Sequence, residues 1–207
     1  MTAFVLGLTG PMGAGKSTVA AMLRELGAKV LDADAMAKDE QLRGTVGYSA
    51  IVQTFGTQVL GDDKEIDRAK LSTEVFADPA KLVRLERILH PRVIARVLEA
   101  RAMLPDDQVL VIEAIKLLET DLRTICDTIW VVLAPRDALI ERLGRRGLGA
   151  GEADLRLARQ ASETAFRAAA DTVITNDGDR EKLRDQVRAA WAALRAREWR
   201  SAPGPGT

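Results

Sequence analysis

The sequence contains a single cysteine, Cys126, and a single histidine, His90. One cysteine cannot form a disulfide within the chain, and its place just before the apolar stretch 129–133 predicts a packed thiol. Long hydrophobic runs that could cross a bilayer are missing. The N-terminus reaches a glycine-rich turn too soon, and without a basic stretch, for a signal peptide. We therefore expect a cytoplasmic protein with no membrane partner.

A surplus of either charge is also missing, because Lys plus Arg and Asp plus Glu both total 30. A chain that binds nucleic acid usually has a basic surplus, so we expect no nucleic-acid partner. Aromatic residues are few, and the three tryptophans lack the spacing of a stacking platform, so we expect them to pack in the protein interior. A hydrophobic fraction of 47% is sufficient for a buried core, and 207 residues suit one domain with elaborations.

Short β-branched apolar runs separated by helical stretches predict five strands. They are Phe4–Thr9, Lys29–Asp32, Val109–Glu113, Thr128–Leu133 and Asp171–Thr175. Strands that alternate with helices predict a parallel sheet covered on both faces. The expected fold class is α/β, with a five-stranded parallel sheet flanked by helices.

The interval between the second and third strands is predicted to be a helical lobe, at about residues 35–104. A helix is expected over Val46–Phe55, and Asp78-Pro79 is typical of a helix start. We expect His90-Pro91 to end that later helix and a further helix to run from about Arg92 to Met103. The lobe interrupts a single domain whose core comprises residues 1–34 and 105–200. We interpret the lobe as the part that binds the acceptor, the substrate that receives the transferred group.

An arginine-rich segment at 142–167 is predicted to be a mobile lid, since glycines at its start allow hinges. Arg142 and Arg146 lie one helical turn apart, and we expect them to face the same side as catalytic groups. The other arginines are expected to be exposed. A last helix is predicted from about Arg180 to Trp199 with Asp179 as its cap, and the Pro/Gly-rich tail 201–207 is expected to be disordered.

Residues Gly10–Thr18 match the nucleotide-loop pattern G-x-x-x-x-G-K-[ST], between a predicted strand and a predicted helix. Glycines let backbone N–H groups turn toward phosphate oxygens, and the following helix adds partial positive charge. The lysine bridges the β- and γ-phosphates, and the serine hydroxyl is a ligand for Mg²⁺. The pattern predicts a P-loop fold, with an ATP site made of Gly13, Ala14, Gly15, Lys16, Ser17 and Thr18, in which Ser17 is also the metal ligand.

Two carboxylates, Asp32 and Asp34, are predicted to close the second strand. Alternation along a strand would place both on one face at the carboxyl end of the sheet, where α/β folds bind ligands. A kinase for a hydroxyl acceptor needs a carboxylate there to orient the hydroxyl and take its proton. The alternative is that one of them only caps the next helix. Glu113, at the end of the third strand, is predicted equally as a contact to the hydrated metal or as a capping acid.

The quoted residues resemble the dephospho-CoA kinase family over nearly the whole chain. The matching segments are Gly7–Ala20, Gly27–Asp34, Phe55-Gly56, Ile66-Asp67-Arg68, Val75-Phe76, Leu89-His90-Pro91, Arg142, Arg146, Gln160, Ala170–Asn176 and Gly178. The resemblance implies transfer of the ATP γ-phosphate to the 3′-hydroxyl of dephospho-CoA, with Mg²⁺. We expect a monomer or weak homo-oligomer.

The same resemblance implies roles for single residues. Asp34 is implied as the base that faces the acceptor hydroxyl, together with Lys16, Arg142 and Arg146 as catalytic groups. The implied acceptor-binding residues are Asp32, Lys38, Arg68 and His90.

Two positions depart from the family pattern. Lys38 stands where the family commonly has arginine, which removes the bidentate geometry. Ile115-Lys116 replaces a Pro-Leu pair, which puts the local loop geometry in doubt, and Lys116 becomes a candidate phosphate contact.

Apart from the resemblance, the residues leave other functions open. One is a different small-molecule kinase, for a nucleoside monophosphate or a sugar acid. Another is a nucleotide-binding switch, although 176–179 lacks the lysine that reads guanine. A scaffold with a vestigial nucleotide site is disfavoured by the intact Lys16-Ser17-Thr18.

Overall fold

The structure is a computed structural model that describes residues 2–76 and 78–201. Its strands are β1 (Phe4–Thr9), β2 (Lys29–Asp32), β3 (Val109–Glu113), β4 (Thr128–Leu133) and β5 (Thr172–Thr175). Its helices are α1 (Lys16–Glu25), α2 (Ala33–Asp39), α3 (Val46–Phe55), α4 (Arg68–Phe76), α5 (Pro79–Ala102), α6 (Arg136–Gly144), α7 (Ala150–Ala158), α8 (Glu163–Ala169) and α9 (Arg180–Ser201). The predicted strands are confirmed, with β5 starting one residue later than expected. The predicted tail falls almost entirely outside the described residues.

The strands form a sheet in the order β2-β3-β1-β4-β5. The ladders that join β1 to β3, β1 to β4 and β4 to β5 are all parallel. This order places β1 at the centre, so the loop that follows β1 leaves the sheet between two buried neighbours. The α/β fold class is thereby confirmed.

The chain divides into two compact units. One comprises residues 3–30 and the chain from Pro105 onward, and we call it the nucleotide unit; the other comprises Leu31–Leu104, and we call it the helical unit. In the nucleotide unit, β3 and β4 are buried along their whole length, which is why they contain runs of Val, Ile and Leu rather than alternating residues. Trp130 of β4 is 1% exposed and packs in this core, as predicted.

The helical unit has an apolar cluster of its own. Its buried members are Ile51, Phe55, Val59, Leu71, Val75 and Leu89, which come from α3, α4, α5 and the 3₁₀ turn Thr57–Val59. Local caps define where the helices begin. Thr45 accepts a hydrogen bond from the Tyr48 amide at the start of α3, and Asp78 accepts one from the Ala80 amide at the start of α5.

Helix α5 continues through Pro91, so the prediction that His90-Pro91 ends a helix is wrong. Proline lacks the N–H that would bond within the helix, at a cost of roughly 3 kcal/mol. Burying one Val or Leu side chain contributes about 1.5–3 kcal/mol, so a few such residues on one face outweigh that cost. The buried residues of α5 are Leu89, Val93 and Val97.

Strand β2 ends at Asp32, so the expectation that Asp32 and Asp34 share a strand face is also wrong. The Asp32 carboxylate accepts a hydrogen bond of 2.9 Å from the Ala35 amide and caps α2. Helix α2 therefore begins at Ala33, and Asp34 lies in its first turn. Capping, which was the alternative for one of the two carboxylates, is the structural role of Asp32.

Within residues 2–76 and 78–201, no helix is both long enough and apolar enough to cross a bilayer.

Candidate active site

The loop between β1 and α1 has the geometry that the glycine pattern predicts. Gly10, Gly13 and Gly15 have φ angles of 143°, 85° and 98°, in the region that other residues avoid. Space is restricted as well. A Cβ on Gly10 would lie 2.1 Å from the Val132 carbonyl oxygen, and one on Gly15 would lie 2.2 Å from the Asn176 amide nitrogen. Both the backbone conformation and the close neighbours therefore require glycine at these two positions.

Lys16 is the first residue of α1, and it is 7% exposed. Its ammonium donates hydrogen bonds of 3.0 Å to the Gly10 carbonyl and 3.2 Å to the Pro11 carbonyl. A buried charge is tolerated where such acceptors surround it. Phosphate oxygens are stronger, charged acceptors, so an ammonium held over the loop is suited to bind them.

Ser17 and Thr18 form the first turn of α1, together with Lys16. The first turn contains no acidic residue. No acidic side chain of this turn therefore offsets the partial positive charge of the helix N-terminus, which favours an anion at this position. The Ser17 hydroxyl is exposed beside the loop.

Arg142 of α6 and Asn176, which follows β5, contact the same loop. The Arg142 guanidinium donates to the Gly13 carbonyl at 3.3 Å and to the Ala14 carbonyl at 3.4 Å. It also donates to the backbone and side-chain oxygens of Asn176, each at 3.3 Å. The Asn176 side-chain amide in turn donates a hydrogen bond of 2.8 Å to the Ala14 carbonyl. Two distant segments therefore hold the backbone of the nucleotide loop through its carbonyl oxygens.

A cleft of about 490 Å³ opens beside this network. It is lined by Ser17, Thr18, Ala21, Met22, Glu25, Arg142, Asn176, Gly178, Arg180 and Leu183. The cleft adjoins the start of α1, where phosphates would bind, and its walls combine apolar side chains with polar groups. This mixture suits an organic ligand that is continuous with the phosphates.

The loop after β5 is held in place by the first turns of α9. Asp179 caps this helix by accepting hydrogen bonds from the Glu181 and Lys182 amides, as predicted. The Lys182 ammonium also donates to the Asp177 carboxylate. This hydrogen bond lowers the pKa of Asp177 below its ordinary value and raises the pKa of Lys182. Both groups are therefore charged at neutral pH.

The remaining arginines of 142–167 differ from Arg142. Three of them form exposed pairs one helical turn apart, namely Arg145 with Glu141, Arg156 with Glu152 and Arg167 with Glu163. Arg146 is exposed and lies beyond the end of α6 at Gly144. The helix that contains Arg142 therefore ends before Arg146.

In the helical unit, Asp34 and Lys38 lie one turn apart on α2, and Asp34 is half-buried. Arg96 of α5 holds this short helix. Its guanidinium donates to the Met36 carbonyl and to the Glu40 carboxylate, both at 3.3 Å, and lies 3.6 Å from the Asp39 carboxylate. This role of Arg96 could not be predicted from the sequence, because one arginine in a helix gives no signal of a partner 60 residues away.

The other two acceptor candidates lie on separate helices of the same unit. Arg68 is the exposed first residue of α4, where Asp67 caps the helix by accepting hydrogen bonds from the Ala69 and Lys70 amides. His90 is half-buried within α5. The motif Ile66-Asp67-Arg68 thus forms the start of α4, with Arg68 exposed at its first position.

Chain similarity identifies the family. A family model for dephospho-CoA kinase matches residues 4–182. The chain belongs to the dephospho-CoA kinase family. A dephospho-CoA kinase of Anaeromyxobacter dehalogenans is 43% identical over 202 residues, which is 96% of each chain. Another, from Streptomyces avermitilis, is 42% identical over 190 residues, with 91% of this chain and 93% of the relative covered.

A solved structure has a closely similar fold. The crystal structure of TT1252 from Thermus thermophilus matches with a TM-score of 0.82 and 32% identity, over 94% of this chain and 99% of that one. The family model and the two dephospho-CoA kinases confirm the resemblance predicted from the sequence.

The residues of this chain fit a magnesium ion bound with ATP. Ser17 presents a hydroxyl at the helix N-terminus, and Glu113 provides a buried carboxylate at the end of β3, in register with Leu8 of the neighbouring β1. Hydroxyl and carboxylate oxygens are the donors that Mg²⁺ prefers, alongside phosphate oxygens and water. In the part of the chain that the structure describes, no group of three or more His, Cys, Asp or Glu could hold a metal by itself. Ser17 and Glu113 are the candidates to hold the ion together with the phosphates.

The departure from the family pattern at Ile115-Lys116 lies in a defined turn. The Thr9 hydroxyl donates to the Ile115 carbonyl at 3.3 Å, which links this turn to the end of β1. Lys116 is exposed and precedes the 3₁₀ turn Leu117–Glu119. Lys116 therefore lies at the surface, close in sequence to the end of β3.

Proposed function

We propose that this chain transfers the γ-phosphate of ATP to the 3′-hydroxyl of dephospho-CoA, with Asp34 as the base that receives the hydroxyl proton. Phosphoryl transfer is supported above all by one observation: the Lys16 ammonium, held by loop carbonyls at the N-terminus of α1. The acceptor is supported by membership of the dephospho-CoA kinase family. We infer that the helical lobe receives the acceptor and the nucleotide unit receives ATP.

The proposed reaction is a direct displacement at the γ-phosphorus. The acceptor oxygen forms a bond to phosphorus while the bond between that phosphorus and the β–γ bridging oxygen breaks, and ADP leaves. The Asp34 carboxylate orients the hydroxyl and accepts its proton. Lys16 neutralises charge on the β- and γ-phosphate oxygens. When bound with ATP, Mg²⁺ would contribute further charge neutralisation at the same oxygens.

The arginines have different proposed roles. Arg142 holds the Gly13 and Ala14 carbonyls and borders the cleft, and these contacts favour a role in nucleotide binding. Arg146 is proposed to reach the transferring phosphate when the segment 142–167 closes. Lys38, Arg68 and His90 are proposed acceptor contacts. A cytoplasmic location and a monomeric or weakly associated state remain predictions.

Coupled ADP production with Mg-ATP tests the proposal. Dephospho-CoA should be turned over, whereas shikimate, gluconate, AMP and CMP should not. Asp34→Asn should lower kcat about 10²- to 10⁴-fold, the usual contribution of a general base, without unfolding the protein. Turnover of another acceptor in the panel would overturn the proposed substrate, and an active Asp34→Asn variant would overturn the proposed base.

Asp32→Asn is the matched variant for the neighbouring carboxylate. Asparagine caps helices as well as aspartate does, so the start of α2 is kept while the charge is removed. An unchanged KM for dephospho-CoA would mean that Asp32 only caps. A raised KM with normal stability would mean that Asp32 also contacts the acceptor.

A further inference from the structure

Gln160 lies between α7 and α8 and contacts the nucleotide loop, from which it is 148 residues away in the sequence. Its side-chain oxygen accepts a hydrogen bond of 2.9 Å from the backbone amide of Met12. The backbone amide of Gln160 donates a hydrogen bond of 3.1 Å to the Leu157 carbonyl, which anchors Gln160 to the end of α7. We propose that Gln160 is a positioning residue for the nucleotide loop and that it links ATP binding to the docking of the α7–α8 segment.

The geometry of the loop explains why this amide needs an outside partner. The Ala14 amide donates a hydrogen bond of 3.1 Å to the Pro11 carbonyl, which closes a tight turn over Pro11–Ala14. Gly13, the third residue of the turn, has a φ of 85°, as a type II turn requires. The N–H of the second residue, here Met12, is not part of the hydrogen bond that closes such a turn. Gln160 supplies its acceptor.

The contacts on the loop divide into two kinds. Arg142 and Asn176 donate to carbonyl oxygens of the loop, whereas Gln160 accepts from a loop amide. Gln160 also differs in its location, because it belongs to the arginine-rich segment predicted to move as a lid. Loss of its hydrogen bond would therefore affect both the order of the turn and the anchoring of this segment.

A reciprocal relation follows from this link. If the docked α7–α8 segment orders the loop for ATP, then bound ATP must stabilise the docked segment by the same free energy. ATP should therefore protect the amides of α7 and α8 from hydrogen exchange in the wild-type protein. This inference depends on the proposed function only in that the loop binds ATP, since dephospho-CoA takes no part in it.

The test uses full-length variants that remove the acceptor or the donor. Gln160→Met keeps the side-chain length and removes the oxygen. Met12→Pro removes the N–H and suits the second position of a type II turn, where proline is common. We expect each variant to raise the Kd for ATP, measured by calorimetry, roughly fivefold, the value for one hydrogen bond. The double variant should bind ATP no more weakly than either single variant. In all three variants, ATP should protect the amides of α7 and α8 from hydrogen exchange less than in the wild type.

Gln160→Glu separates a specific contact from general packing, because it retains an acceptor oxygen. Without nucleotide, exchange of the Met12 amide should stay slow in Gln160→Glu and become fast in Gln160→Met. The proposal is overturned if Gln160→Met binds ATP as the wild type does, if the effects of Gln160→Met and Met12→Pro add, or if the Met12 amide exchanges equally fast in both Gln160 variants. A failure of dephospho-CoA turnover with normal ATP binding would count against the proposed function alone.

Discussion

The side-chain amide of Asn176 donates a hydrogen bond of 2.8 Å to the carbonyl oxygen of Ala14 and so joins the end of β5 to the nucleotide loop. Asn176 is 8% exposed, and its amide nitrogen occupies the space where a side chain on Gly15 would lie. The loop is therefore shaped both by its own glycines and by a buried side chain from the last strand.

Gly15→Ala should weaken ATP binding strongly, because the new methyl group must displace the Asn176 amide and the residue must keep a positive φ. We expect the free energy of unfolding to fall by about 1–3 kcal/mol. Gly27→Ala is the matched control, since Gly27 has a similar φ of 95° but nothing within 4 Å of its would-be Cβ. Calorimetric ATP titration and urea unfolding measure both effects. Equal ATP affinity in the two variants would contradict the role of Asn176.

Arg142→Lys should raise the Kd for ATP by about tenfold. An ammonium cannot bond the Gly13, Ala14 and Asn176 oxygens at once as the planar guanidinium does, and hydrogen bonds to charged groups contribute about 1.5–3 kcal/mol. Arg145→Lys should change the Kd less than about twofold, because its pair with Glu141 is exposed. The same titration measures both variants. A similar loss in both would mean that net charge, rather than the contacts of Arg142, determines ATP binding.

Ser17→Ala should raise the Mg²⁺ concentration needed for half-maximal turnover, because it removes a proposed ligand. Binding of ATP in the absence of Mg²⁺ should be unchanged, since the phosphate contacts of the loop remain. Ser49→Ala is the control, because the exposed Ser49 hydroxyl lies in the helical unit and donates to the carbonyl of Thr45, the cap of α3. If Ser17→Ala shows the wild-type Mg²⁺ dependence in both turnover and ATP titrations, Ser17 is not the metal ligand.

Pro91→Ala should raise the free energy of unfolding by about 1–3 kcal/mol, because it restores an N–H to the interior of α5 and removes the steric cost of the ring. Pro79→Ala is the matched control, since Pro79 occupies the first turn of the same helix, where an N–H would have no helical partner. Urea denaturation measures both. An equal change at the two positions would mean that Pro91 does not strain the helix.

The sequence by itself determined the elements and the chemistry of the nucleotide loop. The strand limits at Phe4–Thr9 and Thr128–Leu133 follow from runs of β-branched residues between turn residues, and the start of α5 follows from Asp78-Pro79. These signals are local, because a cap or a buried strand depends on residues within one or two turns of the chain. The pattern from Gly10 to Thr18 is local in the same sense, and its φ angles match the expectation.

Only the tertiary structure decided which distant side chains complete the loop. The bond of Asn176 to Ala14 depends on the strand order β1-β4-β5, and those of Arg142 and Gln160 depend on where α6 and the α7–α8 connection pack. Packing also overrode local signals, since buried side chains on one face of α5 carry that helix through Pro91. The local sequence at Asp32 allows two roles, a strand residue with a functional carboxylate or a helix cap. Only the folded backbone shows that the Asp32 carboxylate caps α2. The physical reason is common to these cases: a residue's preference is a few kcal/mol at most, and contacts made far along the chain are of the same size.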